Sequence, residues 1–149
     1  MNYSSTHQRS TDMLSLVEWA FRTNTTPATA SCEEANSTVV TAGGFMDSSY
    51  NPTYSGGYSK FSNTLNDTIR IRWYGSQVQV YTVNRSGSGN AAFRTDSGSE
   101  TLVDTYSSVT IGNQLSYTSP FGWHYTDMRV ATAISGGTGA QLDRYVVTR

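Results

Sequence analysis

The sequence has little of what many sites and scaffolds are built from: its 149 residues include one cysteine, two histidines and three prolines. With Cys32 alone, no disulfide can form within the chain and no cysteine-rich metal cluster is possible. Charged residues make up 14% of the chain, against about 25% in typical domains. Lys60 is the sole lysine, the arginines stand singly, and the net charge is −1. We therefore predict no nucleic-acid partner.

Long apolar runs are also missing. The most apolar stretch near the beginning, residues 14–21, is interrupted by Ser15 and Glu18. It is too short and too polar for the core of a signal peptide or for a membrane span. The sequence therefore predicts no signal peptide and no membrane insertion.

What the chain does have is serine, threonine, glycine and tyrosine, with 12% aromatic residues. Short runs with alternating apolar residues recur about every ten residues and end at glycine-containing turns, a spacing typical of antiparallel sandwiches. Eight strands are predicted: 37–41, 67–74, 77–83, 91–95, 100–106, 111–118, 124–134 and 140–148. Gly75-Ser76 predicts a hairpin between the second and third of them. The sequence thus predicts an all-β fold, an antiparallel jelly-roll β-sandwich of about eight strands over residues 37–149.

Residues 1–36 differ from the rest and are predicted to form an N-terminal arm or short helix followed by a linker. Leu14, Val17 and Phe21 have helical spacing, and Trp19 adds a fourth large apolar side chain. An apolar face of this kind needs a covering surface. We predict that these four residues dock on a neighbouring protein subunit or on a second copy of the chain.

Several segments carry a resemblance to a known family. These segments are 54–58 (Tyr-Ser-Gly-Gly-Tyr), 73–81 (Trp-Tyr-Gly-Ser-Gln-Val-Gln-Val-Tyr), 103–107 (Val-Asp-Thr-Tyr-Ser), 114–119, 122–124 (Gly-Trp-His) and 142–147. In this order they resemble the galactose-binding-like jelly-roll sandwiches, the fold of many carbohydrate-binding modules. The resemblance spans residues 37–149 and implies the sandwich fold and sugar recognition. Some relatives hold a structural calcium, but the sequence has no calcium-binding loop motif, so no metal and no cofactor are predicted.

Catalysis is not indicated. His7 and His124 are the available imidazoles, and no Gly-x-Ser-x-Gly elbow accompanies them. A glycosidase needs two carboxylates held across a cleft. Asp104, Asp127 and Asp143 alternate with core positions on strands and are predicted to be solvated. We therefore predict that the chain is not an enzyme.

Sugar binding has better candidates, because aromatic rings stack on pyranose faces while polar side chains hydrogen-bond the hydroxyls. The predicted glycan-binding residues lie in or near loops: Trp123, Tyr125, Tyr54, Tyr58, Tyr50, Asn51 and Arg85. Trp123 is the strongest single candidate for an exposed platform. Core or corner packing is the alternative interpretation of each aromatic residue.

Three functions stay open at this point. The first is a non-enzymatic virion-surface or assembly protein, such as a phage capsid decoration or a tail-fibre component, found on the virion or outside the cell after lysis. The second is a free-standing, lectin-like glycan-binding module. The third is an accessory domain of a carbohydrate-active enzyme system. The missing signal peptide favours the first.

Overall fold

The computed structural model describes residues 29–34, 36, 38–120, 125–132 and 139–148. These residues form two antiparallel sheets packed face to face, so the predicted all-β jelly-roll sandwich is confirmed. The described strands are β1 (Thr29–Glu33), β2 (Val39–Ala42), β3 (Met46–Asp47), β4 (Lys60–Ser62), β5 (Thr68–Arg72), β6 (Gln77–Asn84), β7 (Asn90–Thr95), β8 (Thr101–Asp104), β9 (Ile111–Thr118), β10 (Tyr125–Val130) and β11 (Ala140–Thr148). No helix among the described residues has the length and apolar character to cross a membrane.

The first sheet has the order β3-β4-β11-β6-β9, and β1 also pairs with β11. The second sheet has the order β2-β5-β10-β7-β8. β11 is the longest described strand and has neighbours on both sides, since β1 and β4 pair with it in addition to β6. A functional group on β11 is therefore held by strands from several parts of the chain.

The core lies between the sheets and follows the predicted alternation. Ile69 and Ile71 of β5 are fully buried, as are Val78 and Val80 of β6. Side chains that alternate along a strand point to opposite faces, so one set of each strand enters the core. Trp73 is buried with them.

The predicted hairpin between the strands that flank Gly75 is wrong. β5 lies in the second sheet between β2 and β10, whereas β6 lies in the first sheet between β11 and β9. The link between them crosses from one sheet to the other and is held at the end of β11, because Ser76 N–H donates to the carbonyl of Thr148 at 2.8 Å. Alternating burial shows that a strand has one inner face but not to which sheet it belongs.

Three described strands were not predicted: β1, β3 and β4. β1 falls in the segment predicted as a linker, yet it pairs with β11 from Thr29↔Thr148 to Glu33↔Arg144. Residues 29–33 are therefore part of the sandwich. The docking residues predicted in the arm, Leu14, Val17, Trp19 and Phe21, lie outside the described residues.

The prediction that the strand aspartates are solvated is wrong for two of them. Asp127 of β10 is buried and accepts from Arg70 Nε at 2.7 Å and from Arg94 Nη2 at 3.3 Å. Asp143 of β11 is buried without any ion pair among the described residues. Buried carboxylates need charged or hydrogen-bonding partners, and such partners come from distant segments that strand periodicity does not reveal.

Candidate functional site

A loop rich in tyrosine connects β3 to β4 and contacts β9 and β11 of the first sheet. We call residues 48–59 the aromatic loop. Its ends are joined, because Ser48 N–H donates to the carbonyl of Ser59 at 2.9 Å and Ser59 N–H donates to Ser48 Oγ at 3.0 Å. Between them a 3₁₀ turn spans Ser55–Gly57. The loop is thus a closed, internally bonded unit.

Inside the loop, Asn51 is the central bonding residue. Its N–H donates to the carbonyl of Gly57 at 2.8 Å, and its carbonyl accepts from Tyr54 N–H at 3.1 Å. Its side-chain Oδ1 accepts from the N–H and the hydroxyl of Thr53 at 3.0 and 2.8 Å. Such local side-chain bonds are typical of Asn in turns. The Asn51 side-chain oxygen is therefore already used to shape the loop.

The carboxylate of Asp143 fastens the loop to the sheet. Its Oδ1 accepts the N–H of Ser55 at 2.8 Å, and its Oδ2 accepts the N–H of Asn113 on β9 at 2.5 Å. The Ser55 hydroxyl donates to Glu33 Oε1 at 2.9 Å. Burial raises the pKa of Asp143 to about 6, although the two backbone N–H bonds act in the opposite direction. Asp143 thus joins the loop, β9 and β11.

Two tyrosines of the loop lie at the surface. Tyr50 is 65% exposed, and its ring meets the ring of Tyr58 edge to face with the centroids 5.6 Å apart. Gly57 makes room for Tyr50: a Cβ at Gly57 would lie 2.4 Å from Tyr50 Cε2, and Gly57 has a φ of +85°. Only glycine takes up this backbone conformation without strain. The loop therefore presents Tyr50 in a defined position.

A pocket of about 240 Å³ opens beneath this loop. Phe61 and Gln141, which are paired residues on β4 and β11, lie side by side in its wall. The described residues that line the pocket are Ser48, Ser49, Tyr50, Asn51, Tyr54, Phe61, Arg85 and Gln141. Four of the seven predicted glycan-binding residues thus line the same pocket, although they lie up to 35 positions apart in the sequence.

Two polar atoms of the pocket residues are buried and have no hydrogen-bond partner: Arg85 Nε, a donor, and Gln141 Oε1, an acceptor. The other end of the Gln141 amide is held, because its Nε2 donates to Ser59 Oγ at 2.5 Å. Buried polar groups in folded proteins almost always have partners. One donor and one acceptor on residues that line the pocket thus have no partner within the protein.

The remaining predicted residues are distributed differently. Tyr54 is only 8% exposed, so it contributes to the wall and offers no open ring face. Tyr58 contacts Tyr50 but is not among the lining residues. Tyr125 lies on β10 in the second sheet, with the Arg70 guanidinium 3.9 Å from its ring centroid. Trp123, the predicted platform, and His124 lie outside the described residues.

Gln141 was missed by the sequence analysis, as were Ser48, Ser49 and Phe61. Gln141 follows Ala140 in a strand whose first four residues are all buried. A glutamine in a run of buried residues signals a covered polar site, but the covering loop is some 80 residues earlier in the chain. The signal available in the sequence was the presence of Gln141 and Asp143 among the apolar residues of a predicted strand.

The described lining of the pocket is mostly uncharged. Among the described residues that line it there is one cation, Arg85, and neither a carboxylate nor an imidazole. General acid–base catalysis of glycosyl transfer uses a pair of carboxylates. The described lining therefore provides hydrogen bonds, a ring face and one positive charge.

Some proteins of the fold that the sequence resembles hold a structural calcium ion, but no metal is predicted for this chain. The described residues contain no group of three or more His, Cys, Asp or Glu side chains placed to hold a metal ion. Both oxygens of Asp143 already accept backbone N–H groups. The described donor set thus does not fit a calcium ion.

No protein-family model and no curated protein matches the sequence. Solved structures do match. An exo-beta-1,3-galactanase from Phanerochaete chrysosporium, in complex with beta-1,3-galactotriose, superposes with a TM-score of 0.58 at 20% identity, over 82% of this chain and 29% of that one.

Two further structures match in the same way. A two-domain esterase active on acetylated mannans gives a TM-score of 0.60 at 13% identity, over 81% of this chain and 36% of the esterase. A family 35 carbohydrate-binding module from Clostridium thermocellum gives a TM-score of 0.54 at 13% identity, over 80% of this chain and 97% of the module. The chain spans about a third of the two enzymes but nearly the whole module. At these identities the similarity shows the fold alone, a jelly-roll β-sandwich.

Proposed function

We propose that this chain is a non-catalytic glycan-binding module and that the pocket beneath the aromatic loop is its binding site. The observation that carries the proposal is the pair of unpartnered buried atoms, Arg85 Nε and Gln141 Oε1, beside the exposed ring of Tyr50. Sugar hydroxyls donate and accept hydrogen bonds at once, so one sugar satisfies both atoms. The Tyr50 ring offers an apolar surface for the C–H face of the pyranose.

The size of the pocket agrees with this ligand. Pockets for drug-sized molecules run from about 300 to 1,000 Å³, and this one is about 240 Å³. One sugar unit fits such a volume, and the rest of an oligosaccharide would extend past Tyr50 and Tyr58 into solvent. The protein therefore binds a chain end or a side branch.

The site is also prepared before the ligand arrives. Asn51, Ser55 and Ser59 are each fixed by hydrogen bonds to other parts of the sandwich or the loop. A site that is already ordered spends less binding free energy on restricting its side chains. Preorganisation of this kind suits a module whose task is recognition.

The sequence also left two other roles open, a virion-surface assembly protein and an accessory domain of a carbohydrate-active enzyme system. Assembly on a virion surface rests on residues 14–21, and nothing in the described part of the chain favours it over glycan binding. The position of the matched domains within larger carbohydrate-active enzymes supports a role as an accessory domain. Glycan binding is common to that role and to a free-standing module.

A glycan array probed with the full chain, followed by calorimetry on the glycans that bind, tests the proposal. Tyr50→Ala should weaken binding about tenfold, since the ring contact is lost. Gln141→Met should weaken it by a similar factor, because the substitution keeps the volume but removes both the buried acceptor and the bond from Nε2 to Ser59 Oγ. Each variant must retain the thermal unfolding midpoint to within a few degrees.

Tyr74→Ala is the matched control, because Tyr74 is another exposed tyrosine and is not among the lining residues. Its affinity should equal that of the unaltered chain. If the chain binds no glycan on an array that holds neutral and acidic sugars, the proposed function is wrong. If binding survives both pocket substitutions, the site is elsewhere.

A further inference from the structure

One long side of the sandwich ends in two strands that each have a single neighbour. Among the described strands, β8 pairs with β7 alone and β9 pairs with β6 alone. Both edges lie on the same side, because the Tyr117 ring of β9 stacks on the Phe93 ring of β7, with the ring centroids 5.1 Å apart. We call residues 101–118, which comprise β8, β9 and the connection between them, the open side.

The open side is rich in exposed aliphatic residues. Leu102 of β8, Val109 of the connection and Leu115 of β9 are each more than half exposed. Ile111, the first residue of β9, is more than a third exposed. Large apolar side chains that cluster at the surface of a folded protein mark a contact with another molecule. Four of them in one short segment therefore single out this side of the sandwich.

The open side has few of the features that keep strand edges from pairing. Natural edge strands are commonly protected by charged residues, especially lysine, or by proline, but residues 105–118 contain no charged residue and no proline. At the opposite edge of the first sheet, Lys60 of β4 pairs with Asp47 of β3. Two register shifts relative to β6 do bend β9. A regular ladder along this edge is therefore short, and the aliphatic side chains supply most of the contact.

We propose that two copies of this chain associate through the open side. A strand edge is completed by another strand, and two β9 strands related by a two-fold axis run antiparallel, so each copy donates to and accepts from the other. The neutral composition suits a second copy in particular, because a two-fold axis brings identical residues together and like charges would repel. The open side has 18 residues, close to the about 20–30 that each partner contributes to a stable interface.

Analytical ultracentrifugation of the full chain over about 1–500 μM tests the proposal. We expect a monomer–dimer equilibrium with a dissociation constant on the order of micromolar. Leu115→Lys and Val109→Lys each place a charge on the contact, and each should weaken the dimer about tenfold or more. Both side chains are more than half exposed, so the thermal unfolding midpoint of each variant should stay within a few degrees of that of the unaltered chain.

Val40→Lys is the matched control, because Val40 is an exposed apolar residue of β2, the strand at the other edge of the second sheet. This variant should dimerise as strongly as the unaltered chain. Chemical cross-linking then locates the contact, since the native Cys32 is buried. Thr118→Cys introduces a cysteine at an exposed position of β9 and should join two copies through a short bismaleimide. Val40→Cys should not join them.

Three results would overturn the inference. The first is a chain that stays monomeric at all of these concentrations. The second is a dimer that is equally strong in Leu115→Lys and Val109→Lys, since the contact is then elsewhere. The third is a dimer that is lost when Leu14→Asp and Trp19→Asp are combined in the full chain, because residues 14–21 then make the contact. None of these results affects the proposed glycan binding, which is measured separately.

Discussion

Asp143 on β11 accepts the backbone N–H of Ser55 at 2.8 Å, and this bond ties the aromatic loop to the interior of the first sheet. The bond spans 88 positions of the chain. Because the same carboxylate also accepts from Asn113, one buried side chain fixes the loop and the neighbouring strand together.

The stability of the protein should depend on pH through Asp143. Burial raises its pKa from 3.8 to about 6 in the folded chain, so the folded chain holds a proton that the unfolded chain releases. The stabilising contribution of this group is complete below about pH 4 and is lost as the pH rises through about 6. A change of the Asp143 pKa from 3.8 to about 6 corresponds to about 3 kcal/mol of folding free energy. Urea unfolding between about pH 4 and 7 measures it.

Asp143→Asn should flatten that dependence, because the amide does not titrate. Asp104→Asn serves as the control, since Asp104 is an exposed aspartate at the end of β8. Its variant should keep the pH dependence of the unaltered chain. If the free energy of unfolding depends on pH in the same way in the Asp143→Asn variant, the pH dependence does not come from Asp143.

Gly57→Ala should displace Tyr50 and weaken glycan binding about tenfold. The added Cβ would lie 2.4 Å from Tyr50 Cε2, and the φ of +85° is unfavourable for alanine. The strain costs about 1–2 kcal/mol of folding stability. Calorimetry and thermal unfolding measure the two effects separately. When Tyr50 is already alanine, Gly57→Ala should have little further effect on glycan affinity. If the losses of affinity from the two substitutions add fully, displacement of the Tyr50 ring is not the reason that Gly57→Ala weakens binding.

Asp127→Ala should destabilise the sandwich by about 2–3 kcal/mol. The buried carboxylate pairs with Arg70 and Arg94, so its removal leaves two half-buried guanidinium groups without their acceptor. Glu100→Ala removes the more exposed partner of Arg129 and should cost about 1 kcal/mol or less. Urea unfolding of both variants compares the two ion pairs. Equal losses would mean that burial does not set their strength.

The eight predicted strands all have counterparts in the structure, four to nine residues long, because alternation of apolar and polar residues is a strong local signal. Sheet membership was not available from that signal. Val78 and Ile71 alternate in the same way, yet one belongs to each sheet. The short strands β3 and β4 were missed because Met46–Asp47 and Lys60–Ser62 are too brief to establish a period.

The candidate site was predicted in part. Tyr50, Asn51, Tyr54 and Arg85 were selected for their chemistry, and the fold brings them into one pocket. Tyr125 was selected on the same grounds but lies on β10, under Arg70. Gln141 was missed because its importance comes from burial by a loop far away in the chain. Residue type suggests what a side chain can bind, and only the fold decides which side chains meet.

The pairing of β1 with β11 makes Thr29 and Thr148 direct neighbours across the sheet, which places their Cα atoms about 5 Å apart. A polypeptide that enters the sandwich at residue 29 therefore leaves it almost where it came in. The whole unit can therefore be inserted as a domain into a surface loop of a host protein without increasing the distance between the two ends of that loop. For the same reason, a short linker from residue 148 to residue 29 would allow a circular permutant with new ends in the turn at residues 96–99.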